Sequence, residues 1–377
     1  MMANLQTNTA FDGKELVKKT GIVYYNPNEE RNYFAWPNVG RLSNGTLMVV
    51  ASGYRLGHKD PYGAITASYS TDDGVTWTKP EVIFDSPLDD RDPNIFVEGD
   101  TIFIGYFTQW DLYRPDNETH ALESCSQWSD YYYSVTAEEI EKYGNPELNG
   151  ISDNYIISHD GGKTWQYGGK ICAHTPKGVI KLQDGRYFYV TTHGVTPHGA
   201  SPDVTNKIAY ITSTNLTDWE DPVLLYDVSF IHRACEPTAY QTASGRIIIM
   251  LRSKEGFYQG WSDDNGKSFT ALKLIDASEG AKGTPAHICQ HSSGVLVMVY
   301  GHRTNPYGLV ARLSYDNGET WTEVIRLAEQ GTSWDLGYPS TIERKDGTLL
   351  TVWYACQDVS HRNTGIHYVI WSLPKSV

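Results

Sequence analysis

A tyrosine, a tryptophan, two carboxylates, an arginine and a histidine stand at equivalent points of six recurring segments in this 377-residue chain. Each segment is a proline followed six to nine residues later by a glycine and an apolar run: Pro37/Gly45, Pro93/Gly99, Pro176/Gly185, Pro237/Gly245, Pro285/Gly294 and Pro339/Gly347. Just before the prolines come Trp36, Arg91 with Asp92, His174 with Thr175, Cys235 with Glu236, Thr284, and Tyr338. Six arbitrary positions would not gather such a set. Brought to one place, its carboxylates could move protons and its aromatics could stack on a sugar face, as a carbohydrate pocket requires. Each residue also has a plainer reading. Glu236 could cap a strand end and Tyr338 could be a core tyrosine, yet an acid on an inner strand is costly to bury without a task. Asp60, in GHKDPYG, competes with Asp92 for the role of acid and could equally be a turn aspartate before Pro61. His58, His174, His193, His232 and His287 read as hydrogen-bonding or sugar-contacting neighbours. No histidine pair has metal spacing, and Cys125, Cys172, Cys235, Cys289 and Cys356 contain no C-x-x-C pair. No metal, cofactor or disulfide framework is therefore expected, and the thiols are expected to be free and buried.

The elements that must position these residues are strands. Apolar runs such as LMVVAS, TIFIGYF, RIIIMLRS and LLTVWYA are short, rich in β-branched and aromatic residues, and opened by glycine turns. A second repeat, S-x-D-x-G-x-[TS]-[WF], interlocks with the first at Ser70–Trp77, Ser158–Trp165, Ser262–Phe269 and Ser314–Trp321, with a worn copy at Ser213–Trp219. It has the logic of a hairpin turn: the aspartate caps backbone N–H groups, the glycine takes a positive φ, and the aromatic covers the hairpin. The six turn glycines are 54, 86, 60, 49 and 53 residues apart. About fifty residues is the size of one four-stranded propeller blade. The sequence therefore predicts an all-β, six-bladed β-propeller in one domain over 1–377, whose inner strands start at one mouth of a funnel and carry the pre-proline residues there. The long gap holds an insertion at about 108–150, in which Thr136-x-x-Glu139 predicts a capping box opening a short helix through Tyr143. Its aromatics Trp110, Tyr113, Trp128 and Tyr131 to Tyr133 either form a small core of their own or wall one side of the pocket.

From Tyr24 to Trp371 this pattern resembles the sialidase superfamily, whose propeller blades carry such Asp-box turns. The resemblance implies a catalytic glutamate at Glu236, followed by a strand ending in Arg-Ser that places Arg252 in the carboxylate-binding triad. It implies a nucleophilic tyrosine at Tyr338, and an acid at Asp60 in the loop after Gly53-Tyr54-Arg55. Two departures stand out. Where sialidases open with Arg-Ile-Pro this chain has Ala35-Trp36-Pro37, and the third triad arginine falls near Tyr307, with Arg303 and Arg312 out of register. A clamp with one matched arginine loses charge-assisted contacts worth about 1.5 to 3 kcal/mol each, and a tryptophan favours an apolar sugar face. Arg55, Arg91, Arg252, Arg303, Trp36, His174, His193 and His287 are the expected substrate contacts.

Composition narrows the partners. Lys and Arg number 31 against 45 Asp and Glu, a net charge of −14, which repels nucleic acid and anionic membranes. No apolar run is long enough to span a bilayer, no secretory signal opens the chain, and a cytoplasmic setting is expected. The expected function is that of an exo-acting glycoside hydrolase removing a terminal α-linked neutral sugar, such as α-L-fucose or α-L-arabinose, from an oligosaccharide or glycoconjugate. The alternatives are an exo-α-sialidase with a rebuilt clamp, a polysaccharide lyase, and a lectin-like propeller with an inert pocket.

Overall fold

The computed structural model of the protein describes residues 11–58, 61–109, 135–144, 151–172, 175–193, 207–358 and 363–375. They form a β-propeller built from antiparallel quartets of strands. The first quartet comprises Tyr33–Arg41, Leu47–Arg55, Ala64–Ser70 and Glu81–Phe84. The second comprises Asp89–Glu98, Thr101–Gln109, Ile151–Ser158 and Gln166–Lys170. The third begins at Ile180–Lys181, the fourth at Cys235–Gln241 and the fifth at Ala286–Gln290. The last runs Leu336–Glu343, Leu349–Cys356 and Thr364–Trp371, and takes its outer strand, Val17–Tyr24, from the start of the chain. One parallel bridge, Thr364 to Tyr33, joins the last quartet to the first, so the hydrogen-bonded sheets among the described residues number five, one of them eight-stranded.

Alternation along each strand builds the core. In Ile247–Arg252, Ile247, Ile249 and Leu251 face the third quartet, while Ile248 and Met250 face the fifth. In Leu296–His302, Val297 and Val299 face the last quartet, while Leu296, Met298 and Tyr300 face the fourth. Side chains of a strand point alternately to opposite faces, and here both faces are covered. This is why the apolar runs in the sequence are continuous rather than alternating.

The tight turns take the form the repeat predicts. Asp72 Oδ1 accepts from the backbone N–H of Val75 (3.1 Å) and Thr76 (2.9 Å), and Ser70 Oγ accepts from Gly74 N (2.8 Å). Asp160 and Asp264 cap their turns in the same way. In the worn copy Asn215 Oδ1 takes over the capping, and Leu216 occupies the positive-φ position at 67°. The capping box of the insertion is present: Glu139 N donates to Thr136 Oγ1 (3.2 Å) and Thr136 N to Glu139 Oε2 (2.8 Å), opening a helix over Ala137–Tyr143. Strand Thr101–Gln109 continues past the expected start of the insertion at 108. Cys125 and the aromatics Trp110, Tyr113, Trp128 and Tyr131 to Tyr133 lie outside the described residues. Four cysteines are free, but only Cys356 is buried; Cys235 and Cys289 are half-buried and Cys172 is exposed, correcting the expectation for all but one of the four.

Candidate active site

Four of the pre-proline residues share one backbone device. Trp36, Asp92, Glu236 and Tyr338 have φ of 55°, 49°, 45° and 49°, in the left-handed region that non-glycine residues avoid. Each sits where its inner strand slips register against its neighbour, between Ala35 and Asn38, Arg91 and Asn94, Cys235 and Thr238, and Gly337 and Ser340. A proline supplies no N–H to the ladder, so the pairing breaks there, and the bulge re-aims the preceding side chain. Such a conformation costs on the order of 1–3 kcal/mol per residue and persists only where surrounding contacts enforce it.

Three of the expected residues meet. Tyr338 Oη donates to Glu236 Oε1 at 2.8 Å, and Arg252 Nη1 donates to Glu236 Oε2 at 2.6 Å and to Tyr338 Oη at 2.9 Å. Arg303 Cζ lies 5.5 Å from the centre of the Tyr338 ring, with its guanidinium held by the carbonyls of Leu336 (3.0 and 2.9 Å) and Gly283 (2.7 Å). Burial, reinforced by the Glu236 charge, pushes the Tyr338 phenol well above its ordinary range, against the pull of Arg252 and Arg303. A phenol in that state is neutral near pH 7 and becomes a nucleophile only by passing its proton to a base. Glu236 is in hydrogen-bonding position to receive it. Asp92 is buried and near enough for its charge to bear on Tyr338.

Other expected contacts are placed differently. Trp36 is 1 % exposed, enclosed by Arg91 (4.5 Å from its ring centre), His58 (5.2 Å), Tyr33 (5.9 Å) and Tyr354 (6.1 Å). It has no free face for a sugar, so the stacking role expected of it is withdrawn. Arg55 is wholly buried, bonded through both terminal nitrogens to Asp89 and further to Ser52 and the carbonyls of Gly57 and His58. Its role is to hold the floor beneath Trp36, not to meet substrate. Arg91 donates to Gln109 Oε1 (2.9 Å). His287 accepts from Thr341 N (3.3 Å) and lines an axial cavity of about 270 Å³ with Asn38, Lys177 and Ser340, apart from the Glu236 cluster. Arg312 pairs with Asp276 (2.8 Å) away from the cluster. His193 ends strand Tyr187–His193; its side chain, like Asp60 and His174 altogether, lies outside the described residues.

Two groups were not picked out from the sequence. Asp335 receives the hydroxyls of Tyr33 (2.9 Å) and Tyr354 (2.7 Å) and lies 3.3 Å from His58 Nδ1, forming a polar knot behind Trp36. Lys177, on the axis, donates to Pro339 O at 2.8 Å. A signal for it existed. The residues following the six prolines are Asn38, Asn94, Lys177, Thr238, Ala286 and Ser340, and the lysine is the one charged member. Among the described residues no cluster of His, Cys, Asp and Glu could hold a metal ion.

Comparison with known proteins agrees with the propeller fold. The BNR repeat-like domain family matches residues 127–351, more than half of the chain. The chain belongs to that family, within the sialidase superfamily. An anhydrosialidase of Macrobdella decora is 28 % identical over 86 % of this chain and 50 % of its own length, so the chain spans about half of that curated relative. Similar solved structures include a protein of unknown function from Dyadobacter fermentans (TM-score 0.71, 21 % identity, 95 % of this chain and 99 % of that one). They also include the NanB sialidase of Streptococcus pneumoniae (0.66, 13 %, 94 % and 70 %) and a Trypanosoma rangeli sialidase (0.62, 13 %, 94 % and 60 %). At these identities the structures establish a shared fold. Within that fold, this BNR-repeat protein has a buried tryptophan in its first inner-strand bulge.

Proposed function

We propose that this protein is an exo-acting glycosidase of the sialidase type, working on a terminal sugar that carries a carboxylate at its anomeric carbon. The observation that carries the reading is the closed triangle of Tyr338 Oη, Glu236 and Arg252, with bonds of 2.8, 2.6 and 2.9 Å. We read the propeller as six-bladed. What supports this is that six apolar clusters fill the interfaces between successive quartets, including the one where the eight-stranded sheet crosses the bridge from Thr364 to Tyr33. In the first step Tyr338 Oη bonds to the anomeric carbon as its proton passes to Glu236 Oε1. The glycosidic C–O bond breaks, and an acid, Asp92 or Asp60, protonates the leaving oxygen. Water activated by the same groups then reverses the attachment, so configuration is retained. A tyrosine with a neutral phenol suits a centre bearing a carboxylate, because it brings no charge of its own to repel it.

The expectation of a neutral sugar rested on Ala35-Trp36 standing where the first clamp arginine would be, on Arg303 and Arg312 being out of register, and on Trp36 stacking on an apolar sugar face. Arg303 lies beside Tyr338 with Arg252, which supports a clamp of two arginines, each charge-assisted contact contributing about 1.5 to 3 kcal/mol. The lack of an arginine at the Ala35-Trp36 position, where the first clamp arginine would stand, favours the neutral sugar instead. Turnover of nitrophenyl α-sialoside, α-L-fucoside and α-L-arabinofuranoside, measured side by side, separates the two. The sialoside is expected to be cleaved, with Glu236→Gln lowering kcat by about 10³-fold while KM moves little. Cleavage of a neutral glycoside alone would overturn the carboxylate clamp, and turnover of none would leave an inert, lectin-like pocket.

A further inference from the structure

The strained residues are each followed by a proline, and three of those prolyl carbonyls are held from the axis of the propeller. Asn38 Nδ2 donates to Pro93 O (2.8 Å) as well as to Pro176 O (3.0 Å), Thr175 Oγ1 donates to Pro237 O, and Lys177 Nζ donates to Pro339 O (2.8 Å). The residues immediately before those three carbonyls' prolines are Asp92, Glu236 and Tyr338, the acid candidate and the reacting pair. We propose that Asn38, Thr175 and Lys177 are positioning residues that lock Asp92, Glu236 and Tyr338 into their left-handed bulges, with Lys177 the decisive member. The proposal rests on the reading of Tyr338 and Glu236 as the reacting groups.

Lys177 is the decisive member because it does two things at once. Its ammonium fixes the carbonyl one residue beyond Tyr338, and it lies 5.7 Å from the Tyr338 ring centre, opposite in kind to the Glu236 carboxylate that holds the hydroxyl end. The tyrosine is thus gripped at its backbone and at its oxygen. Burial pulls the ammonium down to about 7, against the charges of Glu236 and Asp92, which favour the cation. A half-buried lysine on the axis, among five neutral counterparts, is unfavourable for folding by itself. Asn38 and Thr175 give the other two bulges the same support without charge, and Asn94 Nδ2 ties the ring together by donating to Thr175 O (3.1 Å) and lying 2.6 Å from Tyr189 Oη. Reacting groups displaced by about 1 Å lose on the order of 10²-fold in rate, so donors that bond the backbone next to the reacting groups can control the chemistry.

The test compares Lys177→Met, Thr175→Val and Thr175→Ser with the wild type, using whichever glycoside the wild type hydrolyses fastest, together with crystal structures of the variants. For Lys177→Met the expected result is a kcat lower by about 10²-fold, with KM changed less than about threefold. In its crystal structure Tyr338 should leave the left-handed region and lose its bond to Glu236. Thr175→Val should displace Glu236 in the same manner, and Thr175→Ser, which keeps the hydroxyl, should restore the rate. A Lys177→Met enzyme with Tyr338 and its bond to Glu236 unmoved overturns the proposal, whether or not its rate falls. If Lys177→Met does not fold, Thr175→Val decides by the position of Glu236. Should the wild type hydrolyse no glycoside, the proposed function fails, while the variant structures still decide whether the axial donors hold the bulges.

Discussion

Asp335 shows how far the environment of one side chain shapes the site. Desolvation favours its neutral form, but hydrogen bonds from His58, Tyr354 and Tyr33 outweigh that and hold its carboxyl down at about 2. A carboxyl whose pKa is depressed on folding contributes stability above its unfolded pKa near 4, and loses it as pH falls through the folded value. Here that window runs from about 4 down to about 2. A shift of a little under two pKa units corresponds to a stabilisation of roughly 2 to 3 kcal/mol at neutral pH. Asp335→Asn should therefore be less stable than wild type by roughly 2 to 3 kcal/mol in urea unfolding at pH 7, with the difference shrinking as pH falls from 4 to 2. A pH-independent difference would mean that packing, not the carboxylate charge, ties this knot. Glu236, Arg252 and Tyr338 were legible in the sequence because the proline repeat marks their positions. Asp335 was not, since its partner Tyr33 is 302 positions away and no repeat marks either residue. Trp36 and Arg55 were assigned to the right region and the wrong role, because spacing locates a residue near a pocket without saying whether other side chains cover it.

At the scale of the element, the Asp-box turns reach beyond their own hairpins. The carbonyl of Gly318, in the fifth quartet, accepts from Gln259 Nε2 of the fourth at 2.6 Å, and a Cβ on Gly318 would lie 2.6 Å from Ile248 Cδ1. With φ at +86°, this residue meets both a conformational and a steric demand. Gly318→Val should cost more than about 1 kcal/mol, measured by urea or thermal unfolding, while the ranking of substrates by kcat/KM stays that of the wild type. A changed ranking at unchanged stability would contradict the assignment of these turns to the scaffold. The strands and these turns were readable because their rules are local: alternation over a few residues, an aspartate capping the next turn, a glycine where φ is positive. The bulges were half-readable. The prolines announced a break in the ladder, but the left-handed conformation of the residues before them is enforced from the axis by side chains of other quartets, which no local pattern contains.

The ring as a whole must close, and here the start of the chain supplies the closure. Val17–Tyr24 adds the outer strand to the last quartet by pairing with Thr364–Trp371, and Phe11–Asp12 lies parallel to Ile325–Ala328 at the rim of the fifth. Val23 and Tyr24 are buried in the cluster between the last and first quartets, where the Tyr24 ring meets Phe34 edge-on at 4.8 Å. Gly21 lies beneath Tyr368, whose hydroxyl crosses to Val75 O of the first quartet at 3.0 Å; a Cβ there would come within 2.5 Å of the ring. Losing Val23 and Tyr24 alone forfeits about 3 to 6 kcal/mol of apolar burial, comparable to the whole stability of many domains. It also leaves Thr364–Trp371 as an unpaired edge, open to pairing with another chain. Deleting residues 1–24 should therefore give protein that melts without cooperativity and elutes as aggregate in size-exclusion chromatography. Gly21→Val, which leaves the strand in place, should lower the melting temperature by several degrees and leave kcat within about twofold of wild type, because Gly21 sits on the outermost strand of the quartet and Tyr338 on the innermost. A truncated chain that elutes with the size distribution of the full one and melts as sharply would show that the propeller closes through the bridge from Thr364 to Tyr33 alone.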